Sequence, residues 1–214
     1  MKRKSNYQKL VEDWEKKLLA MDIKRLEQLI PSLVRRDGCL EIKQFDRLYR
    51  VSLETGVITA CDGDAASENE KLNIYTFFNY IRDDARFRGN WLPFRDLRGA
   101  NVFDSAFQRG VNNAIAQSFS GHTAELRAAL AALGGRDIGV GDAGFEVPSF
   151  TEIPLRLLFW DGDDEFPAQA NVLFDESSVD FIHVESLVTI ASELFSRLLA
   201  RSGLSRVGSS FDMQ

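Results

Sequence analysis

The chain has 214 residues, of which 44% are hydrophobic and 27% are charged, and its formal net charge is −6. The hydrophobic fraction is enough for a buried core, which excludes a disordered chain. The acidic balance argues against nucleic acid as a partner, because binding to phosphates favours a basic excess. We expect a single domain over residues 1–214, in which residues 203–214 form a flexible tail.

The sequence predicts neither a signal peptide nor a membrane segment. Charged residues interrupt every apolar run near the start of the chain, and no stretch approaches the roughly 20 apolar residues that span a membrane. Cys39 and Cys61 are too few for a disulfide framework, a four-cysteine zinc site or an iron–sulfur cluster. We expect two reduced thiols, although a pairing across neighbouring strands stays open. These observations predict a cytoplasmic protein with no membrane and no nucleic-acid partner.

Two helices are predicted to flank a strand region in the first half of the chain. Apolar residues at three- and four-residue steps predict one amphipathic helix over residues 5–30, which ends at Pro31. Residues 39–61 carry β-strand signals and predict about two or three antiparallel strands. The pattern S-x-x-E at residues 67–70 is a capping box, and it predicts a second helix that ends near Arg86.

The second half is predicted to contain two helices, two strands and a final helix. Residues 136–153 show little pattern and predict a long connection with a short extended piece at residues 145–147. Helices and antiparallel strands in separate stretches are typical of an α+β fold, here a mainly antiparallel β-sheet packed with about five helices. The remaining predicted elements are helices at residues 103–119, 126–133 and 183–201 and strands at residues 154–160 and 168–175.

One stretch combines several carboxylates with large apolar neighbours. The sequence WDGDDEFPA (160–168), which we call the acidic turn, places four acids between Trp160 and Phe166. Hairpin tips are solvated, and Asp and Gly suit turns, so a plain surface loop is one interpretation. A ligand site is the other, because Trp160, Phe166 and Pro167 are expected to be buried and to hold the carboxylates against an apolar rim.

The acids of this turn alternate as ligands of a hard cation could. Asp161, Asp163 and Glu165 are candidate metal ligands. Asp142, a loop acid, could join them if the strand that follows it pairs with the strand that leads into the acidic turn. The spacing fails the EF-hand template, which needs glycine at its sixth position and glutamate at its twelfth. No histidine or cysteine forms a zinc motif, and GxSxG, HExxH and phosphate-loop motifs are absent. Catalytic residues and cofactors are therefore left unknown.

A loop with aromatic and basic residues is the second candidate for a ligand site. Trp91, Phe94, Arg95 and Arg98 lie close together in the sequence. Guanidinium groups stack on rings and pair with carboxylates, so this combination suits a flat anionic ligand. The alternative is that the rings anchor the loop to the core while the arginines pair with acids, including those of the acidic turn.

His183 is a candidate at the start of the last helix. It follows a run of acids and could ligate a metal with Glu185 or donate a proton. The alternative is a histidine that caps or packs at the helix end. Together with Trp160 and Phe166, His183 completes the set of ligand-binding candidates.

Five segments occur in one order along the chain: LNIYTFFNYIRD (72–83), NWLPFRDLRGANVFDSAF (90–107), GDAGF (141–145), PLRLLFWDGDDEFPAQANVLFD (154–175) and IHVESLVTIASELF (182–195). In this order they resemble an uncharacterised prokaryotic family, catalogued as domain of unknown function 3786, over about residues 5–200. The resemblance implies anaerobic bacteria and archaea, where some relatives carry an iron–sulfur domain in the company of corrinoid one-carbon metabolism. This chain lacks that cysteine-rich part, so the resemblance implies a context and no mechanism.

Three functions stay open from the sequence. The first is a non-catalytic binding or accessory protein in anaerobic metabolism, which the family resemblance would link to corrinoid or iron–sulfur proteins. The second is a metal-dependent enzyme built on residues 161–165. The third is an interaction adaptor that docks through residues 91–98 or through the first helix, which is basic because residues 1–25 hold eight Lys/Arg and four Asp/Glu. The partner is accordingly a small molecule or a protein, and the oligomeric state is unknown.

Overall fold

The computed structural model describes residues 6–207. Within this range no helix is both long and apolar enough to cross a membrane. The helices are α1 (Asn6–Leu19), α2 (Ile23–Leu29), α3 (Glu68–Tyr80), α4 (Asp104–Phe107), α5 (Asn113–Phe119), α6 (Thr123–Ala132), α7 (Ser178–Phe181) and α8 (Val184–Ser202). A π-helical segment, Gln108–Asn112, joins α4 to α5, and Phe94–Asp96 form a 3₁₀ turn.

The strands form two antiparallel sheets, which confirms the α+β prediction. The first sheet has the order β1-β2-β3-β4 and the second the order β5-β9-β8-β7-β6. In the second sheet, Trp91 of β5 lies opposite Asp175 of β9. The strands are β1 (Val34–Arg36), β2 (Cys39–Gln44), β3 (Arg47–Ser52), β4 (Ile58–Ala60), β5 (Trp91–Pro93), β6 (Arg136–Asp137), β7 (Ala143–Phe150), β8 (Ile153–Trp160) and β9 (Gln169–Asp175).

Strand β8 shows how the sequence orients the second sheet. Its buried residues alternate with more exposed ones from Ile153 to Trp160, because successive side chains point to opposite faces of a sheet. Leu157 and Phe159 therefore enter a hydrophobic cluster that includes residues of both sheets and of the helices. Trp160 falls on the opposite face.

The predicted helix over residues 5–30 is wrong as one element, because the chain turns between α1 and α2. Asp22 caps α2, and its carboxylate accepts a hydrogen bond from Arg25 N at 3.2 Å. A short polar side chain at such a position satisfies free amides and favours a new helix start over continuation. The predicted first residue, Ser5, lies outside the described residues.

The capping box at the start of α3 is confirmed, whereas the predicted end of this helix is wrong. Ser67 accepts from Glu70 N, and the Glu70 carboxylate accepts from Ser67 N. The helix ends at Tyr80, because the chain then turns toward α7. Arg82 N donates to the carbonyl of Asp180 at 2.9 Å.

The long connection predicted over residues 136–153 is also wrong, since it contains β6 and the eight-residue strand β7. Gly144 lies within β7, where an added Cβ would come 2.2 Å from the Val140 carbonyl oxygen. Glycine is required here for close approach of a neighbouring segment, which the sequence pattern does not distinguish from a loop.

Both cysteines are free, and Cys39 lies on β2 opposite Ser52. The predicted tail falls largely outside the described residues, which end at Val207. That residue still contacts the fold, since Val207 N donates to Ser118 Oγ at 2.9 Å. The tail prediction stays a prediction for residues 208–214.

Candidate functional site

The acidic turn joins β8 to β9, and its first carboxylate binds main-chain and hydroxyl donors. Asp161 Oδ1 accepts from the amides of Gly121 and Gly162, both at 2.8 Å, and Oδ2 accepts from Thr123 Oγ1 at 2.8 Å. Burial disfavours the charged form, but these hydrogen bonds outweigh it and lower the pKa of Asp161. Asp161 thereby ties the turn to the start of α6.

Two further acids stabilise the same turn. Asp142 Oδ2 accepts from Asp161 N at 2.7 Å, which confirms that Asp142 approaches the acidic turn across the paired strands β7 and β8. Asp163 Oδ1 accepts from the amides of Glu165 at 2.9 Å and Phe166 at 2.7 Å. These amides lower the pKa of the Asp163 carboxyl. The carboxylates of Asp142, Asp161 and Asp163 all bind the main chain of the turn.

The described residues contain no metal-ligand cluster. Between residues 6 and 207, no group of three or more His, Cys, Asp or Glu side chains is placed to hold a metal ion. His183 Nδ1 accepts from Glu185 N at 3.4 Å, and its ring lies 5.1 Å from the ring of Tyr80. His183 thus caps α8, and the metal ligands named from the sequence stay a prediction.

The large apolar residues of the acidic turn are exposed, which corrects the expectation that they are buried. Trp160 is 41% exposed and Phe166 is 63% exposed, and Pro167 is also exposed. Trp160 lies on the outer face of β8 and packs against Gly141, where an added Cβ would come 3.2 Å from the indole. The turn is therefore held by its carboxylates and not by its apolar residues.

Trp91 and Phe94 are separated by their packing. Phe94 is buried and stacks on Phe107 with ring centroids 4.2 Å apart. Trp91 is partly buried, and the Arg156 guanidinium lies 4.1 Å from its ring centroid. The packing of both rings favours the alternative in which they anchor the loop.

The two arginines of this loop take different directions. Arg95 is exposed, and its Nε atom lies 3.8 Å from Oδ1 of the neighbouring Asp96. Arg98 Nη2 donates to Asp180 Oδ1 at 3.0 Å, far along the chain. The acidic turn, the other partner considered for these arginines, binds main-chain amides instead. Of these two arginines, Arg98 alone forms an ion pair with another element among the described residues.

Arg98 belongs to a cleft that the sequence did not predict. Arg82 Nη1 lies 3.5 Å from Asp180 Oδ1, and Arg88 Nη2 lies 2.9 Å from Asp180 Oδ2. Three guanidinium groups thus meet on one carboxylate of α7. We call this feature the arginine cleft; it has a volume of about 370 Å³, and Glu176 is a further charged residue of its lining.

Burial explains why Asp180 attracts three arginines. The Asp180 side chain is only 8% exposed, whereas the Arg98 side chain is 66% exposed. A buried carboxylate is costly unless it is paired, and three guanidinium groups supply that pairing. The three arginine side chains stay between 42% and 66% exposed.

The arginines differ in how fully their donors are used. Arg82 donates from Nε and Nη2 to Asp84 at 3.0 and 3.2 Å, in addition to its contact with Asp180. Among residues 6–207, Arg98 forms its hydrogen bond through Nη2 alone. Guanidinium carries several N–H donors in a planar fork. Most of the donors of Arg98 therefore have no protein partner in the described chain.

The turn that supplies Asp180 also holds buried polar atoms without partners. Asp175 Oδ1 accepts from the amides of Arg88 at 3.2 Å and Ser177 at 3.0 Å. Asp175 Oδ2 and the Ser178 hydroxyl are buried and have no hydrogen-bond partner within the described range. Such atoms are rare in folded proteins, and they often mark a place where water or a ligand binds.

Three segments that carry the family resemblance meet at the arginine cleft. Residues 72–83 include Arg82, residues 90–107 include Arg98, and residues 154–175 end where β9 enters the turn toward Asp180. The pairing of β5 with β9 joins the second segment to the third. The density of arginine over residues 82–98 is a usable signal for this cleft, although the sequence also predicts a helix as far as Arg86.

A larger groove lies on the other side of residues 82–88. Its volume is about 800 Å³, and Phe87, Pro148 and Pro154 contribute to its apolar lining. Its rim carboxylate Glu152 accepts from Ser32 N at 3.0 Å and Ser32 Oγ at 2.9 Å. The groove therefore offers apolar surface, and its Glu152 carboxylate already accepts hydrogen bonds from the protein.

A second ionic cluster, the Arg197 cluster, lies between α3, α8 and the β2–β3 turn. Arg197 contacts Glu70 at 2.7 Å, Asp46 at 2.6 Å and Glu193 at 2.8 Å. Arg47 contacts Glu70 at 2.8 Å. The side chains of Arg197 and Glu70 are 10% and 3% exposed. This cluster fastens the first sheet to two helices.

Comparison with known proteins places the chain in a family without suggesting an activity. No curated protein and no solved structure matches the chain. The profile of one family, described as "Domain of unknown function (DUF3786)", matches residues 25–197, which confirms the resemblance read from the sequence. The match covers most of the chain, and the protein therefore belongs to this DUF3786 family.

Proposed function

We propose that the protein is a non-catalytic binding or accessory protein, and that its ligand carries an anionic group that binds in the arginine cleft. The observation that carries this proposal is the incomplete use of Arg98. Its exposed guanidinium is held at one end by the buried Asp180, while its other donors have no partner among residues 6–207. Guanidinium groups bind carboxylates and phosphates through paired donors of this kind.

The composition of the cleft supports binding of a small molecule. Its charged lining orients and neutralises a ligand, while Leu92, Leu97 and Val179 supply apolar contact. Small-molecule sites commonly combine such apolar surface with a few placed polar groups. The volume of about 370 Å³ suits a small ligand or one part of a larger one.

The family resemblance suggests the setting of this function. We propose an accessory role in the cytoplasm of an anaerobe, in metabolism linked to corrinoid or iron–sulfur proteins. Under this proposal a partner of that metabolism supplies the chemistry, and the present protein binds or delivers a charged small molecule.

The test compares two arginines of one loop. Arg98→Gln removes the guanidinium whose donors lack protein partners, whereas Arg95→Gln makes the same change of charge at an exposed neighbour. We expect sulfate, methyl phosphate or acetate to raise the unfolding temperature of the wild type and of Arg95→Gln, but not of Arg98→Gln. A ligand at about 100 times its Kd stabilises a protein by about 2.7 kcal/mol.

Calorimetric titration then gives the affinities, with chloride at equal ionic strength as the reference. The proposal is wrong if none of the three anions binds the wild type. It is equally wrong if Arg95→Gln loses as much affinity as Arg98→Gln, because the effect would then reflect overall charge.

A further inference from the structure

We infer that the group bound in the arginine cleft is a dianion of the phosphoryl type, and that it binds by taking Arg98 away from Asp180. The inference rests on the proposed function and specifies the ligand class of the same site. It follows from the charge balance of the cleft, from the unequal attachment of the three arginines and from the burial of Asp180. The charged lining consists of Arg82, Arg88, Arg98, Asp96, Glu176 and Asp180.

The charge balance disfavours a ligand with a single negative charge. Three arginines face three acids in the lining, so the cleft has no large positive excess. A carboxylate ligand would bring the same charge and the same two oxygens that Asp180 already presents. It would also lose translational freedom on binding, which Asp180 does not. Exchange of one carboxylate for another therefore gives little net affinity.

A phosphoryl dianion differs in both respects. It carries close to two negative charges above its second pKa of about 6, and it has three strong acceptor oxygens. With three oxygens it can accept from Arg98 and Arg88 together, whose Nη2 atoms already reach the two oxygens of Asp180 at 3.0 and 2.9 Å. Charge-assisted bonds of this kind are stronger than neutral ones.

Arg98 is the arginine that can leave Asp180 at least cost. It is the most exposed of the three, and within the described chain one hydrogen bond holds it. When Arg98 turns to a ligand, Asp180 keeps its contacts with Arg82 and Arg88. The buried carboxylate therefore stays paired, and the penalty for an isolated buried charge does not arise.

Asp180 accordingly sets the affinity of the site as a built-in competitor. In its presence the cleft binds anions that carry more charge than a carboxylate in preference to carboxylates. Without its charge the cleft would bind simple anions more tightly, because three guanidinium groups would face two acids.

The first experiment compares anions on the wild-type protein by calorimetric titration. We expect sulfate and methyl phosphate to bind at least about tenfold more tightly than acetate at about pH 7.5, a gap of about 1.4 kcal/mol. From about pH 7.5 to about pH 5, methyl phosphate should lose up to about tenfold in affinity as it becomes a monoanion. Sulfate stays a dianion, so it corrects for titration of Asp84, Asp96, Glu176 and Asp180 around the arginines.

The second experiment uses Asp180→Asn, with Glu176→Gln as the matched control. Glu176 contacts Arg88 at 3.4 Å and Asn90 at 2.7 Å, and it does not bind Arg98. Both substitutions remove one negative charge from the lining. We expect Asp180→Asn to bind sulfate about tenfold more tightly than the wild type and Glu176→Gln to gain less than about threefold. Circular dichroism checks that each variant folds.

The outcomes separate this inference from the proposed function. If the wild type binds anions through Arg98 but prefers acetate, or if folded Asp180→Asn shows no gain for sulfate, the inference fails and the proposed function stands. If neither the wild type nor Asp180→Asn binds an anion, both fail. If Asp180→Asn does not fold, the sulfate-to-acetate ratio and the pH response of methyl phosphate in the wild type decide.

Discussion

The Arg197 cluster and the arginine cleft are built from the same chemistry and differ in how completely it is used. Arg197 is nearly buried, and its Nε, Nη1 and Nη2 atoms all bind protein acceptors. Arg98 is largely exposed and uses one nitrogen among the described residues. Charge density alone therefore does not distinguish a structural network from a binding surface. Burial and the number of engaged donors do.

The largest expected effect comes from replacing Arg197, and the same replacement at Arg98 should have a much smaller one. Arg197→Met should lower the free energy of unfolding by roughly 3–5 kcal/mol, because it leaves buried carboxylates such as Glu70 without their partner. Arg98→Met should cost about 1 kcal/mol or less, since Asp180 keeps two arginines and the Arg98 side chain is exposed. Urea denaturation of the two variants measures both values. Equal losses would remove the distinction between the clusters.

Glu70 gives a pH-dependent test of the closed cluster. Burial alone would raise the pKa of Glu70, but the Tyr49 hydroxyl, the Ser67 amide and the Arg47 guanidinium outweigh it, so the pKa lies below its ordinary value of 4.5. A carboxyl whose pKa is lowered by folding stabilises the protein fully above its unfolded pKa. That contribution is lost as the pH falls through the folded pKa.

The expected result for Glu70→Gln is a loss of about 2 kcal/mol at neutral pH, since a charge-assisted hydrogen-bond acceptor is removed. The variant should also lose less stability than the wild type between neutral pH and pH below 4.5. Urea denaturation across this range gives both curves. Parallel curves for the two proteins would show that Glu70 is not part of the acid response.

The fold could be predicted where the signal was local. The capping box at Ser67 and the strand predicted over residues 154–160 each depend on neighbouring residues, and both are confirmed. Strand β7 was not predicted, because the need for glycine at position 144 comes from the Val140 carbonyl, which packs against Gly144 only in the folded chain. Phe166 was expected to be buried because a large apolar side chain favours the core, but hydrophobicity does not specify which way a turn residue points.

The candidate site shows the same limit over longer separations. Arg98 was identified from its aromatic and basic neighbours in one loop. Arg82, Arg88 and Asp180 were missed, because the contacts of the three arginines with Asp180 span 98, 92 and 82 residues of sequence. No local pattern indicates that these side chains meet, and their meeting depends on the pairing of β5 with β9.

The acidic turn adds a third way of using charge, in which carboxylates bind the main chain. Asp161→Asn should lower the free energy of unfolding by about 1–2 kcal/mol, because the amide keeps only one acceptor oxygen and lacks the negative charge that binds the Gly121 and Gly162 amides and the Thr123 hydroxyl. Asp164→Asn, the matched change at the exposed tip, should stay within about 0.5 kcal/mol of the wild type. Urea denaturation of both variants tests whether position in the turn, and not its total charge, determines stability. A gain in stability at both positions would instead mean that mutual repulsion of the carboxylates dominates, and the turn would then resemble a ligand site kept at a cost in stability.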